Sequence, residues 1–313
     1  ITVSNINDSA IISSTAITSA TEDNAYSYTF AASDVDSGEA LTYAAPTLPS
    51  WLSFNTATGV LSGTPTNSNV GNHSIALTVT ESNGDVTTQS FTIAVANVND
   101  APAVTSSATT TATEDAAYNY TFVASDVDSG DTLTYAATTL PSWLSFNAST
   151  GALSGTPTNS QVGNHEVVLT ATDGSNVVAT QTFTIAVTNV NDAPTVANSI
   201  ANQSVAEDAS LSFQFASNTF ADSDVGDSLT YTATLADDNT LPSWLTFNAG
   251  TRTFSGTPLN GDVGIIAVKV TATDGSSAVI TETFDLTVTN TNDAPAVTSS
   301  ATTTATEDAA YSY

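Results

Sequence analysis

Leu169 to Pro194 reads LTATDGSNVVATQTFTIAVTNVNDAP. Phe183, Ile185 and Val187 alternate with small polar or apolar residues, the period of a strand with one buried face. Asp173-Gly174 is a turn signal ahead of that strand. The tetrapeptide NDAP then punctuates the pattern, and it is the key to the whole chain.

NDAP recurs at Asn99–Pro102, Asn191–Pro194 and Asn292–Pro295, with a variant NDSA at Asn7–Ala10. Its aspartates, Asp8, Asp100, Asp192 and Asp293, are 92, 92 and 101 residues apart. Other landmarks keep step: ED at Glu22, Glu114, Glu207 and Glu307, LPSWL around Trp51, Trp143 and Trp244, and SGTP from Ser62, Ser154 and Ser255. Self-similarity at a fixed period is the mark of a repeat architecture. The expected division is 1–8 as the last strand of a preceding repeat, 9–100, 101–192 and 193–293 as three repeats, and 294–313 as the opening of another. Pro295–Tyr313 matches Pro102–Tyr120 except for Ser312, so a larger array is implied. The third repeat is nine residues longer, chiefly between Leu229 and Trp244, where Asp237–Asn239 reads as a turn. Additions that spare every landmark behave as surface-loop insertions.

The same alternation runs through Tyr26, Tyr28 and Phe30, through Ile75, Leu77 and Val79, and through Phe284, Leu286 and Val288. No sustained helical period appears. About seven short strands per repeat predict an all-β chain of tandem immunoglobulin-like Greek-key sandwiches.

The 313 residues hold 31 acids against two bases, Arg252 and Lys269, for a net charge of −29. That balance excludes nucleic acid and anionic membranes, which need clustered Lys and Arg. It favours divalent cations as counterions. No apolar run is long enough for a membrane helix. With no Cys and only His73 and His165, zinc sites and nucleophile–base pairs lack material. The third repeat has Ile266 where the others have His, so these two read as surface strand residues. The composition, rich in Thr, Ser, Ala, Asn and Asp, suits a secreted bacterial surface protein. The lack of Met, even at position 1, reads as an interior piece of a longer chain.

Acids recur at fixed places. Each repeat has the Glu of ED, a D-x-D pair (Asp34 and Asp36, Asp126 and Asp128, Asp222 and Asp224), and an acid after the penultimate strand (Glu81, Asp173, Asp274). N-x-N-D closes each repeat. Hard cations take six to eight oxygens from carboxylates, amides and carbonyls. Gathering like charges in one place requires something to offset their repulsion.

The segments SDVDSGEALTY (Ser33–Tyr43), LSFNASTGALSG (Leu144–Gly155), LTATDG and NVNDAP resemble the ordered motifs of cadherin repeats. The LPSWLSF…TG.LSGTP block is similar to bacterial dystroglycan-type cadherin-like, or putative-Ig, repeats of large secreted surface adhesins. The resemblance implies calcium at repeat junctions. At junction one–two it implies Glu22, Asn97, Asn99, Asp100, Asp126, Asp128 and Asp173 as ligands. At junction two–three it implies Glu114, Asn189, Asn191, Asp192, Asp222, Asp224 and Asp274. The first junction retains Asn5, Asn7, Asp8, Asp34, Asp36 and Glu81, and the last Glu207, Asn290, Asn292 and Asp293. Two departures lower the expected ion count. The L-D-R-E motif of cadherins is absent, with SGTP in its region, and the opening acid of D-x-N-D-N is Asn here.

The function implied is a calcium-stiffened stalk or adhesive spacer of a bacterial cell-surface adhesin or filament, its partners calcium and neighbouring repeats. Two other functions stay open: a calcium-dependent carbohydrate-binding module, and homotypic adhesion between like arrays. The first would use Trp51, Trp143 and Trp244 as exposed sugar platforms; large aromatics more often pack beneath a loop. Catalysis by a carboxylate pair is not expected of a motif repeated in every module.

Overall fold

Alternation becomes sheet in every repeat. The computed structural model describes residues 6–312, so Ile1–Asn5, including the candidate ligand Asn5, and Tyr313 lie outside the described residues. Along Gly71–Thr80, Ile75, Leu77 and Val79 are fully buried, with partly exposed residues between them. This strand pairs antiparallel with Val86–Ala96 from Gly71 opposite Val95 to Thr80 opposite Val86. β-Branched residues fit such a half-buried pleated surface.

Repeat one has a four-stranded sheet in the order Ser19–Thr21, Val86–Ala96, Gly71–Thr80, Thr42–Thr47. Its three-stranded partner runs Tyr26–Thr29, Val60–Gly63, Leu52–Asn55. The opening segment serves twice. Ile11–Ile12 pairs antiparallel with Ala32–Ser33, and Ser19–Thr21 then pairs parallel with the last strand. Repeat two repeats this order with Thr111–Thr113, Val178–Thr188, Gly163–Thr172 and Thr134–Thr139, and repeat three with Gln203–Ala206, Val279–Thr289, Gly264–Thr273 and Thr230–Leu235. The only helices among the described residues are three single 3-10 turns, Asn67–Asn69, Asn159–Gln161 and Asn260–Asp262.

Each sandwich has its own core. In repeat one, Tyr26, Tyr28 and Leu61 from the small sheet, with Phe30 just past its first strand, meet Ile75, Leu77, Val79 and Ile93 from the large one. Repeats two and three form separate clusters around Phe122 and Phe254. The pairing of SWL with SGTP is steric in origin. A Cβ on Gly63 would stand 2.0 Å from the Trp51 carbonyl oxygen, so only glycine lets these two segments pass.

The chain falls into two compact units. Ile1–Pro157 with Gln161–Thr188 forms the first, and Thr158–Ser160 with Asn189–Tyr313 the second. The inserted residues of repeat three form a tight turn, in which Asp238 takes φ +70° and the Leu235 and Asn239 backbones bond. Residues 294–312 carry no strand.

Candidate metal centre

The Glu of ED sits where the short parallel strand ends. The Glu22 amide continues the pairing to Ala96 O, at 3.0 Å. The chain then turns at Asp23, which takes φ +57°, a conformation Asp tolerates better than most residues. The turn is pinned by the Asp23 amide to Pro65 O, 2.9 Å away. The same bonds hold Glu114 and Asp115 in repeat two and Glu207 and Asp208 in repeat three. ED and SGTP therefore recur together because they are one structural joint, which points the glutamate into the end of the sandwich.

Glu22 is completely buried, at 0% exposure. One carboxylate oxygen of each of Glu22, Asp100 and Asp128 lies within 4.8 Å of the others, all inside the first compact unit. Asp100 and Asp128 are tied together: the Asp100 amide donates to Asp128 Oδ2 at 2.7 Å. D-x-D is an Asx turn, the Asp128 amide donating to Asp126 Oδ1 at 2.9 Å. That turn orders the two carboxylates side by side. A second acid group, Asp126, Asp128 and Asp131, shares Asp128 with the first.

The hydrogen bonds leave some oxygens over. Glu22 Oε1 accepts the Val98 amide at 3.4 Å, while Glu22 Oε2, Asp126 Oδ2 and Asp128 Oδ1 are buried and accept nothing among the described residues. Buried carboxylate oxygens in that state are expensive. Burial pushes the Glu22 carboxyl above its ordinary range; the Val98 amide opposes this, and the Asp100, Asp128 and Asp23 charges add to it. Repeats one and two contain no Lys or Arg, and the chain's two bases, Arg252 and Lys269, both belong to repeat three. The donor set is all oxygen, anionic and partly unsatisfied, which fits a hard divalent cation.

Other expected ligands are engaged differently. Asp173 is in neither of these acid groups. Its Oδ2 accepts Asn99 Nδ2 at 2.8 Å and its Oδ1 caps its own turn through the Ser175 and Val177 amides. The Asn99 bond, followed by those amides, holds its carboxyl below the ordinary range against the effect of burial. Asn97 is exposed. Glu81, in repeat one, spends both oxygens on Ala10 N and Asn7 Nδ2. At the same end the Asp8 amide reaches Asp36 Oδ2 at 2.9 Å, and Asp34 Oδ2 is buried without a hydrogen bond among the described residues.

Within the second unit, Asp192 N reaches Asp224 Oδ2 at 2.8 Å, Asn189 Nδ2 reaches Asp224 Oδ1, and Asn191 Nδ2 reaches Asp274 Oδ2. Asp222, Asp224 and Asp227 form its close acid group. Glu114 belongs to the first unit and is 2% exposed. Glu207 is 2% exposed, its Oε1 accepting Thr291 N while Oε2 has no bond among the described residues. Asn290 and Asn292 turn back onto the linker carbonyls of Thr291 and Asp293.

The sequence reading missed Asp131 and Asp227. The signal was present, since an acid follows D-x-D three residues on in every copy, with Glu39 in the first. The tryptophans are half-buried. Trp51 meets Tyr26 and His73 edge-on at 5.9 and 5.8 Å, and Trp143 meets Tyr118 and His165 likewise. His73 and His165 are accordingly packed against indole, and each bonds a backbone carbonyl through Nε2.

The family model described as Putative Ig domain matches residues 9–96, 101–188 and 193–289. The chain belongs to the Putative Ig domain family. These Putative Ig domains are 35% identical over 173 residues to the Serine-rich adhesin for platelets of Staphylococcus aureus strain USA300, covering 55% of this chain and 7% of the adhesin. A further Staphylococcus aureus adhesin of that name is 32% identical over 156 residues, covering 50% and 7%. The chain thus corresponds to a small part of those adhesins. Among solved structures, protocadherin gamma B2 extracellular cadherin domains 1–5 superpose with a TM-score of 0.60 at 18% identity, covering 93% of this chain and 62% of that one. Mouse cadherin-23 EC22–24 gives 0.50 at 17% identity, covering 91% and 100%. The fold is cadherin-like, and the Putative Ig repeats are non-enzymatic modules of the kind found in adhesins. No helix among the described residues is long and apolar enough to cross a membrane.

Proposed function

We propose that these repeats form an extracellular spacer of a bacterial surface adhesin, stiffened by calcium between repeats one and two. The observation that carries this reading is Glu22: a fully buried carboxylate with an unbonded oxygen, facing Asp100 and Asp128. Glu22 comes from repeat one, Asp100 from the linker and Asp128 from repeat two. An ion held by all three would resist bending, because bending would break Ca–O contacts of about 2.3–2.6 Å. Without the ion the three charges repel, and the linker at Ala101-Pro102 is the place that yields. Extracellular modules bind calcium at roughly 10⁻⁴–10⁻³ M, a range suited to a site that fills outside the cell. The adhesin relatives support the placement of the array at a surface.

Small-angle scattering of the whole chain tests this. Calcium should give a longer and better-defined maximum dimension than chelator does. Asp126→Ala combined with Asp128→Ala should remove the part of that change arising at this junction. A profile that stays the same after all bound ions are stripped rejects calcium as the stiffening agent.

A further inference from the structure

The 3-10 turn after SGTP brings an unassigned amide to the acidic end. Asn67 Nδ2 donates to Asp100 Oδ2 at 2.5 Å. Asp100 is one of the three acids facing one another there. The other end of the same amide, Asn67 Oδ1, is buried and accepts no hydrogen bond among the described residues. Repeat two copies the arrangement: Asn159 Nδ2 donates to Asp192 Oδ2, and Asn159 Oδ1 is likewise buried without a bond. In repeat three Asn260 Nδ2 reaches Asp293 Oδ2 at 2.9 Å. In all three copies the two residues stand 33 apart, so the bond belongs to the repeat and is not an accident of one loop.

The turn fixes where this amide sits. Asn69 Oδ1 accepts the Thr66 amide at 2.9 Å, Asn69 N bonds Thr66 O, and His73 Nε2 donates to Asn69 O. A buried amide oxygen without a donor is costly, and a cation would satisfy it where the neighbouring Asp100 carboxylate has no hydrogen to give. No Lys or Arg occurs in repeats one or two.

We propose that Asn67 is a further cation ligand, supplying a neutral oxygen to the ion proposed at Glu22, Asp100 and Asp128, and that Asn159 does the same beside Asp192. This rests on the cation reading above. Without the ion, the NH₂ end faces Asp100 and screens it. With the ion, Oδ1, the end of the amide left without a hydrogen bond among the described residues, is the atom that takes it up, while the NH₂ end keeps Asp100. Three carboxylates already exceed the charge of one divalent ion. A neutral fourth donor raises the oxygen count without adding repulsion, and charge count is what tunes such sites.

The test compares the full chain with Asn67→Ala/Asn159→Ala and Asn67→Asp/Asn159→Asp. Calcium titration calorimetry on ion-stripped protein is the readout, with thermal unfolding in chelator as the folding control. A ligand role predicts about tenfold weaker binding for the alanine variant. It predicts binding as tight as wild type, or several-fold tighter, for the aspartate variant, which keeps an oxygen and adds charge. If both variants bind weakly, the amide only positions Asp100 through its NH₂ group, and the ligand assignment is overturned. If both bind as wild type does, Asn67 takes no part; the assignment again falls while the cation reading stands. If wild type itself takes up no calcium, both fall. Should the alanine variant unfold in chelator, the aspartate variant alone still separates donor from ligand.

Discussion

Repeats two and three solve the same packing problem with different chemistry. In repeat two, the Tyr120 hydroxyl meets Ser106 Oγ and Gln181 Oε1, each at 2.7 Å, and Gln181 Nε2 returns to Ser106 O. That relay ties the opening segment to the last strand through the small sheet. Repeat three has Phe213 where the tyrosine stands, with Asn198 and Glu282 in place of the serine and glutamine. It fills the space with rings: Phe213 lies 5.7 Å from Phe284 and 6.4 Å from Phe254, and Phe247 lies 4.6 Å from Phe254. The acidic ends do not diverge in this way. The D-x-D turn bond is 2.9 Å at Asp126–Asp128 and 3.0 Å at Asp222–Asp224. The Asn99–Asp173 bond of 2.8 Å has its counterpart in Asn191–Asp274 at 2.9 Å. A core asks only for volume and satisfied polar atoms, so it tolerates exchange. An ion site of the kind proposed would ask for oxygens at particular places, and that would restrict what can stand there.

The largest effect should come from what the two repeats share most rigidly. A Cβ on Gly155 would lie 2.1 Å from Trp143 O, and on Gly256 1.8 Å from Trp244 O. Gly155→Ala and Gly256→Ala should each destabilise their own repeat by about 3 kcal/mol, the upper end of overpacking costs. Calorimetry of the two variants checks this. A large loss in one repeat and none in the other would show that the crossing is not a common framework.

Calcium should come next. At about a hundred times Kd, calcium should add about 2.7 kcal/mol to whatever unfolds with the ion bound. Glu22→Gln should reverse the pattern: more stable than wild type in chelator, because a buried charge facing Asp100 and Asp128 is gone, and unresponsive to calcium. Thermal unfolding of both proteins in both conditions tests the pair of expectations. A variant less stable than wild type in chelator would mean that the charge is already compensated within the protein.

The sheet pattern, the D-x-D pairs and the ED glutamates were legible because each is a local pattern that recurs in step. What escaped notice depends on who faces whom. Asn67, in TPTN, reads as a turn residue; only its contact with Asp100 and its buried oxygen give it another meaning. Asp131 lies beyond the end of D-x-D, where Ser129-Gly130 suggests an exposed tip. Trp51 stands in the turn before the strand that begins at Leu52, and its indole packs on Tyr26 and His73, as expected of a large aromatic. Lys269 alternates with buried Val268 and Val270, yet its side chain is only 15% exposed, because the inserted turn brings Asp238 to its ammonium group.

Tyr120→Phe sharpens the comparison of cores. It should cost repeat two about 1 kcal/mol, the net worth of a typical hydrogen bond, since Gln181 and Ser106 still have each other. Urea unfolding gives the number. A loss well above that would mean that the relay, and not ring packing, holds the opening segment down.

The smallest effect is confined to the turn that repeat three has and repeat two lacks. The Asn239 amide, then the Asn239 side chain and, more weakly, Lys269 hold the Asp237 carboxyl below its ordinary 3.8, against the opposing effect of burial. A folded value below the unfolded one means that the stabilisation is present above about 3.8 and is lost as pH falls through the folded value. Asp173 and Asp274 are depressed too, so acid destabilises both repeats, and the raw melting curve cannot isolate the turn. The difference between wild type and Asp237→Asn can, because every other group titrates alike in both. Wild type should lose slightly more stability than the variant between about pH 5 and pH 3, and the excess should shrink in high salt, as exposed charge interactions do. An excess that salt leaves untouched would locate the effect in the Asn239 hydrogen bonds alone, with Lys269 contributing nothing.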